Sequence, residues 1–204
     1  MKYESTNLEN LENYTKEKLT VDVVYANIFA LFLFIPIIAS FGIPYYLIWQ
    51  EKFSIDSLKS FLDNLSFLGF GFGTLSFFIS LAAGIILHEL IHGISWAFFT
   101  EKGFKSIKFG IMWTMLTPYC HCKEPLKIKH YIFGAVMPGI LLGIVPAIIA
   151  ILIGSPPLLV FSIIFTGAAG GDFIMVYRLR NESMNSLVQD HPSEIGCYIY
   201  RKSN

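Results

Sequence analysis

The sequence predicts an all-α membrane protein: about four transmembrane helices, with a small cytoplasmic β-hairpin between the second and the third. Three observations predict it. Hydrophobic residues make up 54% of the 204-residue chain and charged residues only 15%, against about 25% charged in an average globular domain. Mean hydropathy is +0.57, and a soluble globule of this size needs more polar surface than that to cover itself. The apolar residues gather in runs of about 20, the length that crosses a hydrocarbon core.

The elements follow in chain order. Residues 1–25 are polar and carry Glu4, Glu9, Glu12 and Glu17. That is unlike the basic start of a signal peptide, so the first apolar run is expected to stay as a span. This run, about Ala26 to Trp49, holds Pro36 and Pro44, which predict a kink. The second runs from about Phe67 to Phe99, longer than one crossing needs. Its Gly69, Gly71 and Gly73 predict a flexible approach before the helix proper. The third covers about Tyr131 to Ile153, with Pro138 and Pro146 inside it. Gly154-Ser155-Pro156-Pro157 then turns the chain into the fourth, about Leu158 to Val176.

Loop charge predicts orientation. Lys102, Lys105, Lys108, Lys123, Lys127 and Lys129 lie between the second and third runs, opposed only by Glu101 and Glu124. The positive-inside rule assigns this loop to the cytoplasm, and four crossings then assign both termini there too. Arg178 and Arg180, directly after the fourth run, agree. Lysine and isoleucine outweigh arginine, which points to a bacterial cytoplasmic membrane. From Ser106 to Leu116 the loop alternates, with Ile107, Phe109, Ile111, Trp113 and Met115 on one face. Period two reads as a strand, with a second short strand before Pro125. The chain reads as one domain, 1–204: a cytoplasmic segment 1–25, a membrane core 26–178 and a cytoplasmic tail 179–204 that folds back through Ile195, Cys197, Tyr198 and Tyr200.

Composition also excludes classes. Net charge is zero, and no basic block with interleaved aromatics offers a nucleic-acid surface. Three cysteines, Cys120, Cys122 and Cys197, are too few and too odd for a disulfide framework.

The chemistry is concentrated in Gly84 to Phe99, GIILHELIHGISWAFF, which is apolar almost throughout yet holds His88, Glu89 and His92. Ionisable groups inside a span cost about 2.5–3.5 kcal/mol each when charged, so a solvated helix face cannot account for them. Histidines four apart share a helix face and can bind one Zn²⁺ ion, while the glutamate beside them can take a proton from a water the ion polarises. The bland alternative is a polar cluster that ties helices together.

Two histidines leave a catalytic zinc site one protein ligand short. Asp172 is the only acid in the fourth run, and it follows the small-residue tract Gly167-Ala168-Ala169-Gly170-Gly171. Small residues let helices approach closely in lipid, and Ala82-Ala83-Gly84 precedes His88 in the facing helix. If both spans run toward the cytoplasm, the three groups lie at matching depth. Asp172 is therefore expected as the third ligand.

This arrangement resembles the site-2 protease class of intramembrane zinc metallopeptidases, and most of all its small zincin-peptidase relatives, over about Leu75 to Arg178. The resemblance implies His88, His92 and Asp172 as zinc ligands and Glu89 as the group that activates water. The larger proteases carry their aspartate in an Asn-Pro-Asp-Gly segment; here it stands in Gly170-Gly171-Asp172-Phe173, and the asparagine thought to help hold substrate has no counterpart.

The expected function is a membrane-embedded zinc metalloprotease that cuts a membrane protein or peptide substrate in or near the lipid bilayer. A zinc hydrolase of a non-peptide substrate and a non-catalytic scaffold with a residual metal site are the alternatives. The strand around Ile111 and Trp113 is expected to hold an unwound substrate by β-augmentation. Cys120-His121-Cys122 reads as reduced loop thiols, because Cys-x-Cys without a second pair makes a poor zinc site. His130 reads as interfacial. Asp190-His191-Pro192 reads as a turn, and Gly139-x-x-x-Gly143 as helix packing.

Overall fold

The structure is a computed structural model that describes residues 14–53, 56, 69–112, 117–191 and 196–202. Strand β1 (Tyr14–Thr20) leads into α1 (Val23–Ile48), and α2 spans Gly69–Ala97. A hairpin, β2 (Ile107–Met112) and β3 (Thr117–Cys122), precedes the short β4 (Leu126–Lys127). Helix α3 (Ile128–Pro138) passes through a π-helical stretch, Gly139–Ile144, into α4 (Val145–Ile153). Then come α5 (Pro156–Ala168), α6 (Gly170–Leu179), β5 (Leu187–Asp190) and β6 (Gly196–Lys202).

Three helical stretches are long and apolar enough to cross a membrane: Val23–Ile48, Gly73–Ala97 and Ile128–Ile153. Their outward residues are large and apolar, with Leu31, Ile86 and Leu152 each more than two-thirds exposed, as suits contact with lipid. Helices α5 and α6 are a fourth apolar stretch, bent by 41° at Ala169. The bend has local causes. Ser162 Oγ donates to the Leu158 carbonyl at 2.6 Å and Thr166 Oγ1 to the Ser162 carbonyl at 2.8 Å. Such bonds to the preceding turn compete with the helix ladder, and Gly170 and Gly171 follow at once.

The third run is one helix with a widened middle. Pro146 has no N–H to give and its ring crowds the carbonyl four residues back; the π-winding of Gly139–Ile144 absorbs this. Gly139 and Gly143 face the neighbouring helices, as their spacing predicts: a Cβ on Gly143 would lie 2.2 Å from Thr166 Oγ1. Gly154, at φ 66°, closes α4 in the left-handed conformation that favours glycine.

Two expectations are corrected. The chain is mostly helical but not all-α: β1, β6, β5 and β4 form a four-stranded sheet in that order, every pair antiparallel. The glycines at 69–73 are no loose approach, because helix α2 already starts at Gly69; a long apolar helix absorbs the glycine penalty of about 1 kcal/mol each.

The sheet gathers distant segments. It holds the strand before α1, the strand before α3 and both strands after α6. The hairpin that follows α2 joins it: Cys122 N–H donates to Asp190 Oδ2 at 2.8 Å and Gln189 Nε2 to the Lys123 carbonyl at 2.5 Å. Arg201 of β6 pairs with Glu17 of β1 and, at 2.7 Å, with Glu182 of the turn after α6. The main core lies where the helix ends meet this sheet, built on Trp96, Ile128, Tyr131, Leu179, Val188 and Ile199. A smaller core around Tyr45, Ala150 and Leu159 closes the far end.

Candidate metal centre

Histidines 88 and 92 project from one face of α2 toward α6, where Asp172 sits in the first turn after the bend. His88 Nε2 lies 3.3 Å from Asp172 Oδ2 and His92 Nε2 lies 3.3 Å from Asp172 Oδ1. The two Nε2 atoms are 3.2 Å apart. Both histidines are buried, at 8% and 4% exposure. The donor atoms converge within 4.8 Å of one another, so one ion could bind all three residues.

The donor set fits Zn²⁺ on two counts. Ligands about 2.0–2.1 Å from a tetrahedral ion lie roughly 3.3 Å apart along each edge, close to the distance between the two Nε2 atoms and from each to its nearer Asp172 oxygen. The tautomer fits as well. His92 Nδ1 lies 2.9 Å from the Gly134 carbonyl, and a carbonyl only accepts, so this nitrogen carries a proton. In its neutral form His92 therefore turns the Nε2 lone pair, the form a metal takes, toward Asp172 at 3.3 Å.

Support for His92 continues outward. Its ring stacks on Trp96 at 5.0 Å, and Trp96 stacks on Tyr131 at 5.3 Å. Trp96 Nε1 donates to the Tyr131 carbonyl at 3.1 Å. Gly134 makes this column possible, since a Cβ there would sit 2.1 Å from Trp96 Nε1. Gly134→Ala is therefore expected to push Trp96 against His92 and weaken zinc binding about tenfold or more, the usual scale for disturbing a ligand's support. A zinc titration of the purified variant checks this; wild-type affinity would show that the column does not hold the ligand.

The three donors line one wall of a cavity of about 280 Å³. Glu89, one residue on from His88, lines it too, and the Cys120 backbone N–H reaches its carboxylate from β3. The opposite wall is β3 (Pro118, Tyr119, Cys120 and His121) with Asp190 and His191 from the end of β5. Burial pushes the Cys122 thiol up to about 12, and burial with Glu89 nearby pushes Cys120 higher still. Both are thiols rather than thiolates near neutral pH.

Residues 81–187, just over half of the chain, match the family described as "Putative zincin peptidase". The chain belongs to that family. Membership makes it a zincin-type metallopeptidase, and zinc the metal it implies. The matched region contains His88, Glu89, His92, Gly134 and Asp172 but stops short of Asp190. No curated protein and no solved structure matches the chain.

Within this zincin, the structure brings together four of the residues singled out from sequence: His88, Glu89, His92 and Asp172. Ile111 is not among them. It lies on β2, opposite Pro118, and β3 stands between it and the cavity. Trp113 falls outside the described residues. His130 stacks on Phe99 at 4.1 Å, away from the cavity. Sequence reasoning missed Gly134, whose contribution is a carbonyl that any residue has, and Asp190, which a turn-like Asp-His-Pro disguised.

Proposed function

We propose that this zincin is an intramembrane endopeptidase of the site-2 protease type, which hydrolyses peptide bonds in or near the bilayer. The observation that carries the reading is the convergence of two histidine Nε2 atoms, 3.2 Å apart and each 3.3 Å from one oxygen of Asp172, made by two apolar helices beside a glutamate that faces a cavity.

His88, His92 and Asp172 would hold one Zn²⁺, which supplies a Lewis acid that polarises a peptide carbonyl and acidifies water. Glu89 accepts a proton from the attacking water at its carboxylate. As the carbon–nitrogen bond breaks, Glu89 returns that proton to the departing amide nitrogen, which leaves as the amine. The His92–Gly134 bond keeps the imidazole's proton on Nδ1 throughout, so Nε2 stays a ligand.

The hairpin supplies the surface for an unwound substrate. Cys122 N–H points to Asp190, so by the two-residue period of a strand the backbone of Cys120 also faces the cavity; its N–H meets Glu89, which leaves its C=O for a substrate N–H. An extended peptide laid along this edge of β3 runs past Glu89. Ile111, expected at the substrate, belongs to β2, the strand paired with β3 on its other edge.

The bent pair α5–α6 makes the fourth crossing in this reading. The start of α1, the end of α2, the start of α3 and the end of α6 then share the sheet's side of the membrane. The lysines of the hairpin loop assign that side to the cytoplasm.

Proteoliposomes holding the zinc-loaded protein test the proposal. They are expected to cut a labelled transmembrane peptide, to stop on zinc chelation, to resume on zinc addition and to leave a panel of lipids intact. Zinc-dependent release from a lipid with no peptide cut would overturn it in favour of a non-peptide hydrolase.

A further inference from the structure

Asp190 is the one carboxylate at the cavity that the proposed reaction does not use. It stands at the end of β5, outside the family-matched residues, and lines the same cavity as Glu89 and Asp172. Two neutral donors hold it: the Cys122 N–H at 2.8 Å and the Tyr131 hydroxyl. Among the described residues no lysine or arginine pairs with it, and none lines the cavity. A carboxylate offers about four acceptor positions, so these two donors leave it room for another.

The surroundings favour a positive occupant. A bound dication would balance Asp172 and Glu89 and leave the charge of Asp190 over. Burial pushes its carboxyl up to about 6, against the pull of the Cys122 N–H and the Tyr131 hydroxyl. Of its histidine neighbours, His121 is held below its ordinary value by burial, with Lys108 and Lys123 nearby, and so is neutral at pH 7.

We propose that Asp190 forms a subsite for a cationic group, so that preferred substrates carry a lysine or arginine side chain, or a free α-amino group, close to the scissile bond. This deepens the peptidase reading and rests on it. The pairing would answer a half-buried carboxylate that, among the described residues, no lysine or arginine meets. It also adds a requirement beyond apolarity, so that most transmembrane segments would be refused.

Binding to the cleavage-dead, zinc-loaded Glu89→Gln protein separates the two levels. The probes are fluorescein-labelled apolar peptides: one N-acetylated with a single lysine, one N-acetylated with norleucine in its place, and one with norleucine and a free amino terminus. The lysine is moved through successive positions. At the best position the lysine peptide, or the free-amine peptide, is expected to bind at least about tenfold tighter than the acetylated norleucine peptide. Which of the two gains identifies the source of the cation. Adding Asp190→Asn should bring the ratio within about twofold while zinc content and melting temperature hold, and Asp190→Glu should restore part of it. A ratio unchanged in Asp190→Asn overturns the subsite, even if the wild type cuts peptides. An Asp190-dependent ratio in a protein whose wild type cuts none upholds the subsite and overturns the peptidase reading.

Discussion

Glu89→Gln is expected to lower peptide cleavage by about 10²–10⁴-fold, the range a general base contributes, with the zinc content of the protein unchanged. The amide keeps the size of the side chain and can still meet the Cys120 backbone. It cannot accept the proton that the attacking water must lose. Metal analysis and single-turnover kinetics on one preparation give both readouts. Cleavage within about threefold of wild type would remove Glu89 from the reaction. Loss of zinc together with activity would make it a determinant of the metal site.

The second large effect concerns the ion itself. Asp172→Ala and His92→Ala are each expected to purify with less than about a tenth of the wild-type zinc and to show no measurable cleavage. Two protein ligands are too few for a catalytic zinc site. Zinc held by these residues would tie α2 to α6 and stabilise the folded state by mass action, so the wild type should melt at a higher temperature with zinc than after chelation. The variants should show no such difference. Near-stoichiometric zinc in Asp172→Ala would mean that the aspartate pairs with the histidines as a counterion only.

Much of the site was legible because the membrane makes polarity rare. Three ionisable groups in Gly84–Phe99 and one acid in the fourth run stood out against apolar neighbours, and helical spacing matched two of them to one face. The sheet had no comparable signal. Strand β1 reads Tyr-Thr-Lys-Glu-Lys-Leu-Thr, with its middle residues exposed and no alternation to declare it. Its partner is β6, where Tyr14 faces Lys202. Strand β4 is two residues long. Pairing over such distances is settled by tertiary context rather than by local pattern. The hairpin was legible in part, since Ile107 to Met112 does alternate. Its relation to the cavity was not: which of two strands faces a site depends on how the pair docks on α2, where Phe109 and Ile107 close over Gly93.

The pairing of β1 with β6 also orders events during biosynthesis. Strand Tyr14–Thr20 is made well before its partner Gly196–Lys202. At about 5–20 residues per second, the early strand waits roughly ten seconds or more for its mate to emerge. The histidines of α2 likewise precede Asp172 and reach the bilayer before a full set of donors exists. The sheet and the ion cage therefore wait on a later strand and a later carboxylate, and neither can close before these have been made.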